Sequence, residues 1–245
     1  MAKKNPQVRF EEVEKAMEKN NSRPSFIFKK RPFKFTKKQN DILKCMFDER
    51  SKVIIIEGPA GTSKSYLSIY AALSEFSKNN IESILYLRTA VESASRSLGF
   101  LKGDLDEKFS VYKQVLEDKV EELVEEKDQK FLMNSSLLEA LPINYIRGAS
   151  WRNKFVTLDE AQNANLDELK TLMTRIGEGS KLVICGDKQQ SDIKHSGLKS
   201  LKMIFNDEEC RDRGIHFFQL TEEDVVRSEI VKFVVQKFQG YETGR

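Results

Sequence analysis

The sequence predicts a doubly wound α/β fold, and two observations predict it. Short runs rich in β-branched and aromatic residues recur at Val53–Ile56, Ile84–Leu87, Phe155–Leu158, Leu182–Cys185 and Phe217–Leu220. They are apolar throughout rather than alternating, as strands buried on both faces of a parallel sheet must be. Helical patterns fill the intervals at Tyr66–Phe76, Leu166–Ile176, Leu198–Phe205 and Ile230–Phe238. Strands that alternate with helices build parallel sheets covered on both sides.

Along the chain, residues 1–35 read as a basic N-terminal extension. Residues 1–40 carry twelve basic and four acidic side chains, a balance of +8 in a chain whose net charge is +3. Such asymmetry suits contact with nucleic acid by the basic end, or a solvated arm. Residues 10–19 can form a short amphipathic helix, and from Phe26 to Phe35 aromatic and basic residues interleave around Pro32. Proline limits such a segment to a sheet edge. Its rings either pack on the domain or stack bases between cations that hold phosphates. The core domain spans 36–240. It opens with a helix capped by Thr36, with Ile42, Leu43, Met46 and Phe47 on one face. Residues 104–130 are highly charged with sparse apolar positions and read as an exposed helical insert.

Hydrophobic residues make up 39% of the chain and charged residues 32%. That allows a real core, while no run approaches the roughly 18 apolar residues of a membrane span. The N-terminus lacks an apolar signal region, and Cys45, Cys185 and Cys210 lack metal-ligand spacing. A reducing cytoplasm is the expected compartment.

The segment Val53-Ile-Ile-Ile-Glu-Gly-Pro-Ala-Gly-Thr-Ser-Lys-Ser is strand, loop and helix. A P-loop needs that context, because backbone N–H groups and a helix N-terminus surround the phosphates. Gly58, Pro59, Ala60, Gly61, Thr62, Ser63, Lys64, Ser65 and Tyr66 are the candidate nucleotide-binding residues. Lys64 would reach the β- and γ-phosphates of ATP, and the Ser65 hydroxyl would ligate Mg²⁺. The standard pattern has glycine where this chain has Ser63. The position borders the helix, where a negative φ suits serine; its hydroxyl either bonds a phosphate or crowds the site.

Phe155-Val-Thr-Leu-Asp-Glu-Ala-Gln delivers two adjacent carboxylates at the C-terminal end of a strand, where ligands bind in open α/β sheets. Asp159 would hold Mg²⁺, and Glu160 would orient and polarise the attacking water. Leu182-Val-Ile-Cys-Gly-Asp-Lys-Gln-Gln ends at the same sheet edge. There Gln189 would sense the γ-phosphate, with Gln190 as the one-residue alternative. Arg88 and Arg147 stand in polar turns after strands. They suit nucleic-acid contact, or structural pairing with Asp104 or Glu92.

Together these residues resemble the PhoH family of P-loop ATPases, related to superfamily 1 helicases. Pro59-Ala-Gly-Thr with Lys64 is similar to the family's P-loop. Arg88-Thr-Ala-Val-Glu, Leu98-Gly-Phe-Leu-Lys-Gly-Asp-Leu-Asp-Glu-Lys, Tyr145-Ile-Arg-Gly, Leu158-Asp-Glu-Ala-Gln-Asn and Thr174-Arg-Ile-Gly follow in the family's order. So do Gly186-Asp-x-x-Gln, Ser196-Gly-Leu and Leu220-Thr-Glu-x-Asp-Val-Val-Arg, and the likeness spans residues 36–238. Ser63, the length and the lysine-rich composition resemble bacteriophage versions, which would place the protein in a host cytoplasm.

The resemblance implies ATP binding and hydrolysis in one RecA-like core. Thr36-Lys-Lys-Gln39 resembles the helicase glutamine motif, in which Gln39 would bond adenine through its amide donor and acceptor. Arg227 resembles the helicase arginine that stabilises γ-phosphate charge, or else pairs with Glu223 or Asp224. A helicase of this kind needs two such cores, so the expected partner is a second copy, in a ring such as a hexamer, acting on RNA or single-stranded DNA. The alternative is an ATP-dependent switch or assembly scaffold without helicase activity.

Overall fold

The computed structural model describes residues 26–29, 34–89, 105–146 and 150–226, with 230, 233, 234 and 237 beyond them. Six strands form one sheet: β1 (Val53–Glu57), β2 (Ser83–Arg88), β3 (Leu138–Pro142), β4 (Lys154–Asp159), β5 (Lys181–Gly186) and β6 (Ile215–Gln219). Their order is β3-β2-β4-β5-β1-β6, and every pairing is parallel. Ile54 and Ile56 point into one apolar cluster, Val53 and Ile55 into the other. That is why the run reads as continuous hydrophobe: successive side chains enter two cores.

On the first face pack α1 (Lys37–Phe47), α2 (Lys64–Ser77) and the insert helices α3 (Leu105–Leu123) and α4 (Glu126–Asn134). On the second lie α5 (Leu166–Met173) and α6 (Leu198–Ile204). A short helix, α7 (Glu208–Asp212), leads into β6. α1 starts with a reciprocal capping box: Thr36 Oγ1 accepts from the Gln39 N–H at 3.2 Å, and Gln39 Oε1 accepts from the Thr36 N–H at 2.9 Å. Its far end is held by the Lys181 ammonium, which donates to the carbonyls of Met46 and Asp48.

Three features depart from the sequence expectation. β3 was not expected. Its Leu-Glu-Ala-Leu-Pro sequence has weak strand propensity, and it is tolerated at the sheet edge, where Pro142 closes it. α5 ends at Met173, so Ile176 leaves the helix and forms a parallel bridge with Trp151. The insert is a helical pair, as charge patterning suggested, yet Leu116, Val120 and Leu123 are buried. Their spacing of four and three residues makes one packed face. Of the expected helix Ile230–Phe238, the described positions are helical and the remainder lies outside the described residues.

The aromatic segment docks on the domain. Phe26 stacks on Phe76 at 5.9 Å, Phe28 meets Tyr70 edge-on at 4.9 Å, and Phe35 meets Tyr66 at 6.1 Å. Phe28 also bridges Val124 at the end of α3. These three rings pack on the domain. Residues 10–19 and Pro32 lie outside the described residues.

Candidate active site

The parallel sheet brings the C-terminal ends of β1, β4 and β5 to one edge, and a cleft of about 600 Å³ opens there. That is enough for a nucleotide. Ala60, Gly61, Ser63, Lys64, Ser65 and Tyr66 of the P-loop face it, with Asp159, Glu160 and Asp187. Gly58 lets the loop press against the residue that follows β6: a Cβ there would lie 2.7 Å from Leu220 Cβ. Gly61 adopts φ of 84°, which glycine permits without strain.

Ser63 corrects the sequence reading. It is left-handed, with φ of 62°, and caps α2 without a side-chain hydrogen bond. The turn from loop into helix demands the conformation that glycine supplies in the standard pattern, and serine holds it under strain. Glu160 has φ of 58°. The other two left-handed non-glycine residues among those described are asparagines, which tolerate the region; Ser63 and Glu160 are the strained pair, and both face the cleft.

Lys64 Nζ lies 2.7 Å from the Gly58 carbonyl and 2.9 Å from that of Pro59. Burial lowers its pKa, opposed by the negative charges of Asp187, Asp159 and Glu160. The Ser65 hydroxyl donates to Asp159 Oδ1 at 2.6 Å. Tyr86 donates to Oδ2 at 2.6 Å, the Glu160 N–H reaches Oδ1, and the Lys119 ammonium stands 3.5 Å from Oδ2. Burial alone would push the Asp159 carboxyl up, but Lys119, the two hydroxyl donors and Arg88 outweigh it and hold it below the usual range. A hydroxyl and an ionised carboxylate in contact form a hard oxygen donor set that fits Mg²⁺, which takes one or two carboxylates alongside phosphate oxygens.

Glu160 is oriented by its neighbours. Gln162 Nε2 donates to Glu160 Oε2 at 2.7 Å, while Gln162 Oε1 accepts the Asp187 N–H at 3.0 Å. One buried amide thus ties the end of β4 to the end of β5. Gly186 leaves room for it, since a Cβ there would come within 3.2 Å of Gln162 Oε1. Arg88 stands 3.6 Å from Glu160 Oε1. The expected partners Glu92 and Asp104 lie outside the described residues, as does Arg147.

Two further assignments change. Gln190 lines the cleft; Gln189 borders the neighbouring hollows beside Glu57 and Lys202 and beside Gly58 and Pro59. The turn Lys188–Gln190 is a single 3₁₀ turn capped by Asp187, and one residue around it reverses which amide faces inward. Gln39 is fully buried. Its Nε2 donates to the carbonyls of Thr62 and Asp224, and its Oε1 completes the α1 cap. Both amide protons are used by the fold, so in this arrangement Gln39 braces the P-loop rather than offering a donor to adenine. Asp224 completes that brace, accepting from Thr36 Oγ1 at 2.7 Å and from the Thr221 N–H at 3.0 Å, with Lys38 3.6 Å away. The Val226 N–H bonds the Gly61 carbonyl at 3.2 Å; Arg227 lies outside the described residues.

Sequence reasoning missed Tyr86, Lys119 and Gln162. Gln162 had a signal, two residues after Glu160 on the same turn. Tyr86 and Lys119 had none, because their approach to Asp159 depends on strand pairing and on how the insert folds back.

The family model described as PhoH-like protein matches residues 34–239. The chain belongs to the PhoH-like family. It is 37% identical over 188 residues to the PhoH-like protein of Mycobacterium tuberculosis (strain ATCC 25618 / H37Rv), covering 76% of this chain and 52% of that one. It is 34% identical over 239 residues to the PhoH-like protein of Bacillus subtilis (strain 168), covering 97% and 72%. With Protein PhoH of Escherichia coli (strain K12) the identity is 29% over 187 residues, covering 74% and 51%. The chain spans about half the length of the mycobacterial relatives. Among solved structures, the Pif1 helicase from Candida albicans aligns with a TM-score of 0.36 and 16% identity over 77% of this chain and 40% of that one. The family assignment and the strand–loop–helix motif agree on a P-loop protein of the PhoH-like family. Among the described residues no helix is long and apolar enough to cross a membrane.

Proposed function

We propose that the protein is a Mg²⁺-dependent ATPase of the PhoH type that couples hydrolysis to binding or remodelling of RNA or single-stranded DNA, as a homo-oligomer in a reducing cytoplasm. The observation that carries the reading is the contact between Ser65 Oγ and Asp159 Oδ1, which joins the P-loop helix to the carboxylate pair of β4. Lys64 neutralises the β- and γ-phosphates, and Ser65 and Asp159 hold the divalent ion. When bound, that ion offsets the charge that develops on the phosphates. Glu160, fixed by Gln162 and Arg88, accepts the proton of the attacking water. Gln190 faces the same cleft and supports a role in sensing the γ-phosphate. Arg227, next to Val226, is the candidate for stabilising the transition-state charge, in its own subunit or a neighbour's. Arg88 and Arg147 remain candidates for the nucleic-acid path, Arg88 beside Glu160 being placed to link strand and hydrolysis.

The test is the ATPase rate with and without single-stranded RNA or DNA, beside the native mass of the assembly. Hydrolysis that rises with added strand and falls about 100-fold or more in Glu160→Gln, with ATP still bound, supports the reading. A monomer with and without ATP removes the oligomer. A rate indifferent to nucleic acid, with ATP changing assembly instead, favours a switch or scaffold.

A further inference from the structure

We propose that Lys119, carried by the insert helix α3, is a phosphate-binding residue of the nucleotide site, and that Asp159 is the counter-ion it gives up when the triphosphate enters, which frees that carboxylate for the divalent ion. The proposal rests on the ATP-binding reading above.

Lys119 lines the same cleft as Gly61, Lys64, Ser65 and Gln190, although it lies in a segment inserted between β2 and β3. Its side chain is only 27% exposed, whereas a helix-borne lysine ordinarily carries its charge out to water. The surrounding helix is fixed. Leu116, Val120 and Leu123 are buried within the core, and the end of α3 is tied by the Phe28–Val124 bridge and by the Lys29 N–H to the Leu123 carbonyl at 2.8 Å. The ammonium therefore points inward from an anchored base, and only the lysine's own stem needs to move.

Asp159 cannot serve both cations. Its Oδ1 already takes Ser65 and the Glu160 N–H, and its Oδ2 takes Tyr86 beside Lys119. A divalent ion on this carboxylate stands next to the ammonium, and like charges at such range in a half-buried site repel strongly. The compensating anion inside the cleft is the triphosphate. Glu122, one turn further along α3, also lines the cleft, but it is exposed to water and holds a lysine only weakly. By this exchange the insert is coupled to what the P-loop holds.

Equilibrium affinity for a fluorescent ATP analogue, measured in excess EDTA and then across a Mg²⁺ titration, tests the exchange in the full chain. Lys119→Met keeps the apolar stem and removes the charge; Lys119→Arg keeps the charge. In EDTA, Lys119→Met should bind about tenfold more weakly than wild type, and Lys119→Arg within about threefold of it. In Lys119→Met the Mg²⁺ midpoint for nucleotide binding should fall, because the competitor for Asp159 is gone. Wild-type affinity in EDTA for a normally melting Lys119→Met, or an equal loss in Lys119→Arg, overturns the proposal and leaves the ATP reading standing. An unmoved Mg²⁺ midpoint overturns the exchange. If Lys119→Met does not fold, Lys119→Gln against Lys119→Arg decides by the same criteria. Failure of the wild-type protein to bind the analogue at all overturns the ATP reading, and the proposal with it.

Discussion

The two walls of the cleft are built differently. The P-loop wall is local: Gly58 to Tyr66 follow one another, and the loop's own carbonyls hold Lys64. The Asp159 wall is assembled from distant parts of the chain, with Ser65, Tyr86 and Lys119 converging from α2, β2 and the insert on one carboxylate. A local motif survives in sequence as a pattern of spacing. A convergent site leaves no pattern, because each contributor is an ordinary residue until the sheet and its crossovers bring it in. The first wall is read from its own spacing; the second sets how the Asp159 carboxylate is held.

Breaking the local wall should have the largest effect. Lys64→Ala removes a charge-assisted contact to the phosphates, about 2–3 kcal/mol, and should weaken ATP binding by roughly 100-fold in a calorimetric or fluorescence titration. Its thermal stability should hardly fall, because the ammonium is buried at some desolvation cost and bonds only two loop carbonyls. A stable variant that binds ATP normally would mean that Lys64 keeps to those carbonyls and does not serve the nucleotide.

Tyr86→Phe probes the convergent wall and should reverse the pattern. The hydroxyl is buried and donates to a charged oxygen, so its loss should lower stability by about 2 kcal/mol in urea unfolding. ATP affinity in the absence of divalent ions should stay within about twofold, since no P-loop group is touched. The Mg²⁺ dependence should shift, because the carboxylate loses one of its orienting donors. If stability is unchanged and ATP affinity falls instead, the two walls are not separable.

How much of this was legible follows the same division. Five of the six strands and the P-loop could be read because burial on both faces and the loop's spacing act over a few residues. β3 could not, since Leu138–Pro142 owes its pairing to β2 and not to its own propensity. The place of Asp159 and Glu160 at the C-terminal end of a strand was legible, whereas the contacts of Tyr86, Lys119 and Gln162 were not. Gln39 shows a subtler limit. Its place after Thr36 was readable as a motif, yet a capping box and an adenine contact need the same two residues, and only packing against Thr62 and Asp224 separates them.

The glutamine pair after β5 sharpens the comparison at one residue's resolution. Gln190→Ala should lower turnover about fivefold to tenfold with little change in ATP affinity, as loss of one neutral hydrogen-bonding group near the reacting phosphate implies. Gln189→Ala should stay within about twofold, since Gln189 borders the adjoining hollows and not the cleft that Lys64 and Asp159 line. Steady-state kinetics on both variants decide it, and the opposite ranking would show that the turn rearranges around the nucleotide.

The smallest effect is the most local. Ser63 holds φ of 62° without a capping bond from its hydroxyl. A non-glycine residue there costs roughly 1–2 kcal/mol, while glycine adds back about 0.5–1 kcal/mol of unfolded-state entropy. Ser63→Gly should therefore stabilise the protein by about 0.5–1 kcal/mol, a rise of roughly 1–4 °C in Tm for a chain of this size. ATP affinity should stay within about twofold, because the backbone that meets the phosphates keeps its conformation. A fall in Tm would show that the hydroxyl has a structural partner. A clear loss of affinity with raised Tm would instead assign the hydroxyl to the phosphates, making the strain at Ser63 the cost of a contact that glycine cannot supply.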